Sequence, residues 1–242
     1  MKYLFAILIT LITSRSFAQS SDPRAVLKQM KQAMESHQSL SYEVSYNFKG
    51  SNRNDTVSYK ELVHLLRVPE DSIIGGMVWI GQFDNAASYE FYDLYNVFRM
   101  DRLKLAAWMK DPHKMAKAAR KFSALNDFML WTPFLRTKEI EDLAVPTNTM
   151  QLLKDTAVLG KNCYQVLINS PKATLNTPQD WKTMLCIDKK DMVPVYRKML
   201  RWNGGKYQHE DFLLTSYSFD AVDDSRFSAS QIPQFYIIRE EK

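Results

Sequence analysis

Alternation of apolar and polar residues predicts that most of this chain is β-sheet. Along residues 42–49 the apolar side chains Tyr42, Val44, Tyr46 and Phe48 fall on one side of a predicted strand. Further β-type segments occupy 56–68, 77–83, 87–92, 95–100, 150–155, 158–169, 182–188, 192–202, 207–219 and 232–239. The first five segments follow one another at the short spacing of an antiparallel meander. Asn203-Gly204 predicts a β-hairpin, because both positions of such a turn need positive φ.

Two stretches predict helices instead. Asp22-Pro23 begins the first, since aspartate caps free amides and proline fits the first helical position. The second stretch, residues 103–143, is predicted to be a helical insertion containing a basic amphipathic helix at 112–122. A more apolar part of this insertion contains Phe128, Met129, Trp131 and Phe134. We interpret the insertion as a lid over a curved antiparallel sheet, which gives an α+β fold.

The first 18 residues have the features of a secretory signal peptide. Lys2 precedes a short apolar run, and small residues end at Ala18. The run is shorter than the roughly 20 residues of a membrane-spanning helix, so we expect cleavage and a soluble protein in the periplasm. Residues 19–242 fit a single domain.

Composition excludes several functional classes. Loss of Lys2 and Arg15 with the signal peptide lowers the formal charge from +5 to +3, which is too small for a typical nucleic-acid binder. Glycine is scarce, which argues against phosphate-binding loops. The chain has no G-x-S-x-G motif, and its four histidines lack metal-ligand spacing. We therefore expect no cofactor, no metal and no enzymatic activity, although a carboxylate pair assembled by the fold would leave no trace in the sequence.

Two features of the sequence each allow two interpretations. In a hairpin centred between Thr174 and Leu175, Cys163 and Cys186 are directly opposed, which fits either a cross-strand disulfide or two buried thiols. The lysines of the basic helix form either a solvated face or a contact with anionic lipid head groups or an acidic partner. The head-group candidates are Lys114, Lys117 and Lys121.

The predicted order of elements and three local stretches carry a resemblance to a known family. These stretches are Asp22-Pro23-Arg24-Ala25-Val26-Leu27, Asp71-Ser72-Ile73-Ile74-Gly75-Gly76 before Trp79, and residues 188–195 with Pro194 after a turn. The chain resembles the periplasmic outer-membrane lipoprotein carrier (LolA-like) superfamily. The resemblance implies one domain over 19–242, an incomplete β-barrel covered by helices with a hydrophobic cavity for acyl chains. It also implies a cationic residue in an early strand, for which Arg67 and Arg99 are both candidates.

The leading hypothesis is a non-enzymatic exported protein that binds an acyl chain, a lipid or a lipoprotein-like ligand in a half-barrel cavity. The hypothesis extends to a role in outer-membrane lipoprotein or lipid trafficking. The predicted cavity residues are Val44, Tyr46, Phe48, Trp79, Phe128, Met129, Trp131 and Phe134. Membrane surface contact without a transmembrane anchor is compatible with this hypothesis. The alternative is a protein-interaction or envelope-sensor domain whose interior is filled by its own aromatic side chains, and a hydrolase is a distant third.

Overall fold

The computed structural model describes residues 22–49, 55–82, 89–101, 104–112, 134–135, 137–170, 181–203 and 206–240. Its strands in the first half of the chain are β1 (Ser39–Lys49), β2 (Val57–Arg67), β3 (Gly76–Gln82), β4 (Tyr89–Tyr92), β5 (Val97–Asp101) and β6 (Ala106–Lys110). Those in the second half are β7 (Thr149–Leu152), β8 (Thr156–Val158), β9 (Lys161–Ser170), β10 (Trp181–Asp188), β11 (Pro194–Asn203), β12 (Lys206–Phe219) and β13 (Ile237–Glu240). The helices are α1 (Pro23–Glu35), α2 (Lys138–Leu143) and two 3₁₀ helices (Asp224–Phe227, Ala229–Gln231).

These strands form one curved, open sheet. Its order is β13-β6-β5-β4-β3-β2-β1-β12-β11-β10-β9-β7, and β8 pairs with β9. The predicted meander is confirmed by the antiparallel pairing from β1 to β6, and the predicted hairpin by the pairing of Asn203 with Lys206. The predicted α+β fold with a curved, unclosed sheet is therefore confirmed.

The predicted first helix is also confirmed. The Asp22 side chain accepts a hydrogen bond from the Arg24 amide at 2.9 Å, and Pro23 is the first helical residue. One face of α1 is buried through Val26, Leu27, Met30 and Met34. These side chains join the main core, so α1 covers one face of the sheet.

The two faces of the sheet carry different apolar clusters. Tyr42, Val63 and Ile80 pair across β1, β2 and β3 and belong to the main core, and we call their side the helix face. Residues one position away point to the opposite side. A smaller cluster there includes Phe91 and Ile232. Residues 221–236, which contain the two 3₁₀ helices, contribute Ile232 to this cluster; we call them the strap and this side the strap face.

The predicted helical insertion is wrong in its first part. Ala106–Lys110 forms strand β6, which pairs with β5 on one side and β13 on the other. Ladder hydrogen bonds on both edges outweigh the helix preference of an alanine-rich segment. The last part is helical, as predicted, at residues 134–135 and in α2. The predicted helix at 112–122, apart from its first residue, and the apolar part up to residue 133 lie outside the described residues, as does the predicted signal peptide.

The last predicted strand is shorter than expected and runs in a different direction. Only Ile237–Glu240 is a strand, because residues 232–236 belong to the strap. It pairs in parallel with β6, with Ile237 beside Ala106. The sheet is therefore antiparallel except at this edge.

Candidate functional site

Four aromatic side chains meet on the helix face, and we call them the aromatic group: Tyr46, Phe48, Tyr59 and Phe212. The Tyr46 ring centroid lies 4.6 Å from that of Tyr59, 4.7 Å from that of Phe212 and 6.4 Å from that of Phe48. Tyr59 and Phe212 are the direct strand partners of Tyr46, and opposed side chains share a face. Sequence alternation predicted Tyr46 and Phe48 but missed the other two, since only strand register shows which residues face them.

Burial decreases along β1. Tyr42 and Val44 are 2% exposed and Tyr46 is 5% exposed, whereas Phe48 is only partly buried. The start of β1 lies beside the C-terminal end of α1, and Phe48 lies at the far end of the strand. The predicted cavity residues Val44, Tyr46 and Phe48 thus share one face, and Phe48 has the most accessible surface of the three.

Two polar side chains lie among these apolar residues. The Tyr42 hydroxyl is buried and forms no hydrogen bond with any described residue. Glu61 is also buried and lies opposite Val44, one step along the ladder from Tyr42. Burial, together with the negative charge of Glu61, raises the pKa of Tyr42 well above its usual value. The phenol therefore stays protonated and retains a proton to donate.

Of the four apolar ligand contacts predicted in the lid, Phe134 is the one that the structure describes. It is fully buried in the main core, and the Arg67 guanidinium lies 4.6 Å from its ring centroid. Arg67 donates hydrogen bonds to the carbonyl oxygens of Phe134, Met34 and His37 at 2.6, 2.7 and 2.8 Å. Burial lowers the pKa of Arg67, and the charges of Glu35 and Asp220 oppose this effect. Of the two candidate cations, Arg67 connects β2 to the C-terminal end of α1 through hydrogen bonds, whereas Arg99 is exposed.

Trp79 lies apart from the other predicted cavity residues. It pairs with His64 on β2 and Phe91 on β4, and packs against the smaller cluster of the strap face. Its neighbours Val78 and Ile80 point to the helix face. Residues on both faces of β3 are apolar, so strand register and not alternation separates Trp79 from Val44 and Tyr46.

The remaining predicted ligand contacts lie outside the described residues. They are Phe128, Met129 and Trp131 of the apolar part and Lys114, Lys117 and Lys121 of the basic helix. They stay predictions.

A groove of about 450 Å³ lies between α1 and α2. Lys31 on one side pairs with Glu141 on the other at 2.5 Å. Arg24 also lines the groove and donates hydrogen bonds to the carbonyl oxygens of Ala144, Val145 and Asn148. Lys31 and Arg24 thus connect α1 to α2 and to the segment after it across the groove. These charged side chains make the groove poorly suited to an apolar chain.

The predicted register of the two cysteines is wrong by two residues. Cys163 lies opposite Asp188, and Cys186 lies opposite Gln165. Both cysteines are buried free thiols. Burial raises the pKa of both thiols, that of Cys186 to about 11. The buried-thiol interpretation therefore describes this structure.

Charged side chains near the β10–β11 turn form a structural network. The Tyr217 hydroxyl lies 3.0 Å from an Asp188 oxygen and 2.8 Å from an Asp191 oxygen, and Lys161 pairs with Asp188 at 3.2 Å. Among the residues described, no cluster of three or more histidine, cysteine, aspartate or glutamate side chains is arranged to hold a metal ion. No helix within the described ranges is long and apolar enough to cross a membrane.

Comparison with known proteins gives structural likeness only. No protein-family model and no curated protein matches the chain. A structure of the Pseudomonas aeruginosa MucA/MucB complex is similar, with a TM-score of 0.48 and 15% identity over 87% of this chain. This chain spans 60% of the length of that matched chain.

Two other similar structures match over nearly their whole length. The Mycobacterium tuberculosis lipoprotein LppX has a TM-score of 0.45 and 9% identity, with 83% of this chain and 96% of that chain covered. A LolA superfamily protein from Nitrosomonas europaea has a TM-score of 0.39 and 7% identity, with coverage of 86% and 97%.

Proposed function

We propose that this protein is a non-enzymatic binder of apolar ligands, and that the acyl chain of a lipid or lipoprotein lies against the aromatic group. The partly buried ring of Phe48 is the observation that carries the proposal. It continues the apolar surface of Tyr46 to the end of β1, where the side chain still has accessible surface. Burial of ligand surface against such rings contributes roughly 25 cal/mol per Å² before ordering costs.

The polar neighbours of this surface suit an amphiphilic ligand. The Tyr42 hydroxyl keeps its proton because of its raised pKa, and no described residue accepts a hydrogen bond from it. A buried donor gains free energy when it finds an acceptor. An ester or amide carbonyl on the ligand would supply one if Tyr46 and Phe48 moved to admit the chain.

The place of action follows from the N-terminal sequence. The predicted signal peptide supports export to the periplasm, and a role in outer-membrane lipoprotein or lipid trafficking is the extension of the proposal. Phe128, Met129 and Trp131 remain candidates for a cover over the chain. Lys114 and its neighbouring lysines remain candidates for contact with anionic head groups.

Two measurements test the proposal. Native mass spectrometry of the purified protein should show bound lipid, and the delipidated protein should take up a fluorescent fatty acid with saturable binding. Absence of both bound lipid and uptake would overturn it. If uptake is unchanged after loss of the Phe48 ring, the aromatic group is excluded as the binding site.

A second function, binding of a protein partner, is favoured by the edge of the sheet. Exposed apolar side chains cluster around β13, namely Leu105, Phe235, Ile237 and Ile238. The Ile237 amide bonds to Leu105 of the neighbouring segment, so by alternation the Ile238 amide points away from the sheet. Exposed edges of this kind accept a partner strand.

An extended peptide tests this second function. A fluorescein-labelled peptide of alternating valine and threonine should bind the protein, as measured by fluorescence polarisation. Ile238→Pro removes the outward amide and should abolish this binding while fatty-acid uptake stays unchanged. Equal peptide binding by the proline variant would exclude the edge as a partner site.

A further inference from the structure

The strap is held against the sheet by a few buried side chains. It leaves β12 after Asp220 and ends where β13 begins. Phe227 and Ile232 are its buried residues. Ile232 packs with the smaller cluster that includes Phe91 and Phe98. Few buried contacts hold the strap, so its release costs less free energy than unfolding of the sheet.

His64 lies in the sheet beside the strap. Its side chain is on the strap face and is 7% exposed, and neither ring nitrogen forms a hydrogen bond with a described residue. Its ring centroid lies 5.2 Å from that of Trp79. The guanidinium of Arg226, from the strap, lies 5.7 Å from the Trp79 ring centroid. A buried polar ring without partners is costly to the fold and needs an explanation.

Among the described residues, Arg226 is the charged group that acts on the pKa of His64. On β1, Ser41 is its direct partner, and the carboxylate of Glu43 accepts a hydrogen bond from Thr215 on β12. On β3 the neighbour is Trp79, and beyond it on β4 the Tyr89 hydroxyl donates to the Gln231 carbonyl oxygen of the strap. The strap contributes the guanidinium of Arg226 and the exposed carboxylates of Asp223 and Asp224, and of these the charge of Arg226 lowers the pKa of His64. Protonation of His64 therefore places a second positive charge near Arg226 in an apolar setting.

We propose that the strap is an acid-released latch: protonation of His64 detaches residues 221–236 from the strap face and uncovers the smaller apolar cluster. The neutral ring fits the apolar closed site better than the charged ring does, so binding of a proton by His64 favours the open strap. Release thus follows the same logic as other buried-histidine switches, in which a neutral ring is required for packing.

The start of the strap resists this release. The Asp220 carboxylate accepts hydrogen bonds from the Gln38 and Ser39 amides at 2.8 and 3.2 Å, and lies 2.7 Å from the His37 ring. The contact with His37 is the main cause that lowers the pKa of Asp220. Asp220 therefore stays attached as a hinge while the chain beyond it opens.

The direction of the pH dependence follows from His64. Burial first, and then the charge of Arg226, lower the pKa of His64 from 6.5 to about 4 in the closed state. Strap packing is therefore fully present above pH 6.5 and is lost progressively as the pH falls toward 4. At pH 5 the open population should be roughly 20-fold larger than at pH 7.

Amide hydrogen exchange measures this opening. The reporting amides are those that donate within the strap, of Ser228, Gln231, Ile232 and Tyr236. Their protection factors, corrected for intrinsic exchange at each pH, should fall about 20-fold from pH 7 to pH 5, while β1 and β12 keep theirs. A fall shared by β1 and β12 would mean general unfolding and would overturn the proposal.

Two variants test whether the pH-dependent loss of strap protection is caused by His64 and Arg226. His64→Leu removes the titrating ring at similar volume, so strap protection should change less than twofold with pH, whereas the control His209→Gln on β12 should behave as wild type. An equal fall in His64→Leu would overturn the proposal. Arg226→Gln, at an exposed position, should reduce the fall because one positive charge is gone, and an unchanged fall there would also count against it.

Discussion

The Arg67 guanidinium packs on the Phe134 ring and also donates two hydrogen bonds to the carbonyl oxygen of Phe134, at 3.2 and 2.6 Å. The same group donates to Met34 and Glu35 at the C-terminal end of α1. Helix ends leave carbonyl oxygens without intrahelical partners. Arg67, at the end of β2, therefore supplies hydrogen-bond donors to the carbonyl oxygens at the end of α1 and also binds the segment that leads to α2.

Loss of this cation should destabilise the protein. Arg67→Gln should lower the free energy of unfolding by roughly 2–4 kcal/mol, because several buried carbonyl oxygens lose a charged donor. Urea denaturation followed by circular dichroism measures the change. Arg99→Gln is the matched control, since Arg99 is exposed on β5, and should change stability by less than about 0.5 kcal/mol. Equal effects of the two substitutions would contradict the assigned role of Arg67.

Phe134 should behave as a core residue. Phe134→Ser removes a fully buried ring and should cost about 3–5 kcal/mol of unfolding free energy. Phe235→Ser, at a side chain that is 68% exposed, should cost less than about 0.5 kcal/mol. A Phe134 variant with wild-type stability and reduced fatty-acid uptake would instead show that this ring covers a ligand.

Phe48 should contribute to ligand affinity. Phe48→Ser removes apolar contact surface worth about 1.4 kcal/mol, so the Kd for a fluorescent fatty acid should rise roughly tenfold. Titration of delipidated protein measures the change, with Phe235→Ser as the aromatic control on another part of the surface. Thermal unfolding of both variants establishes that lost uptake reflects lost contact and not lost fold. Identical affinities for the two variants would contradict the proposed site.

The two cysteines should titrate as thiols. Without reductant, the urea-denatured protein should react with two equivalents of Ellman's reagent per chain, because both cysteines are free. In the native protein at pH 8 reaction should be slow, since burial and a pKa of about 11 for Cys186 leave only about 0.1% as thiolate. Absence of thiol in the denatured sample would demonstrate a disulfide.

Local patterns predicted those parts of the fold that local physics decides. The Asp22-Pro23 start of α1 depends on a cap within one turn, and the face of Tyr42, Val44 and Tyr46 depends on a period of two. Both predictions are confirmed. The strand conformation of β6 depends instead on its pairing with β5 and β13. Its own alanine-rich sequence favours a helix, so the local pattern gave the wrong prediction.

The candidate site was predicted only in part for the same reason. Tyr59 and Phe212 become neighbours of Tyr46 through strand register, which no single segment specifies. Phe134 was predicted to line the cavity, and its full burial in the main core beside Arg67 makes it a core residue. Trp79 lies on the strap face and Tyr46 on the helix face, and the register of β3 against β2 and β1 shows this.

The pairing of Ile237 with Ala106 joins opposite halves of the sequence. During synthesis on the ribosome, strands β1 to β6 emerge long before β13, and β6 then presents an open edge with unpaired backbone groups. Open edges recruit other chains, and nascent chains are most exposed to aggregation at this stage. The last strand therefore covers the β6 edge only late in synthesis, and it moves the open edge of the sheet from β6 to the Ile238 side of β13.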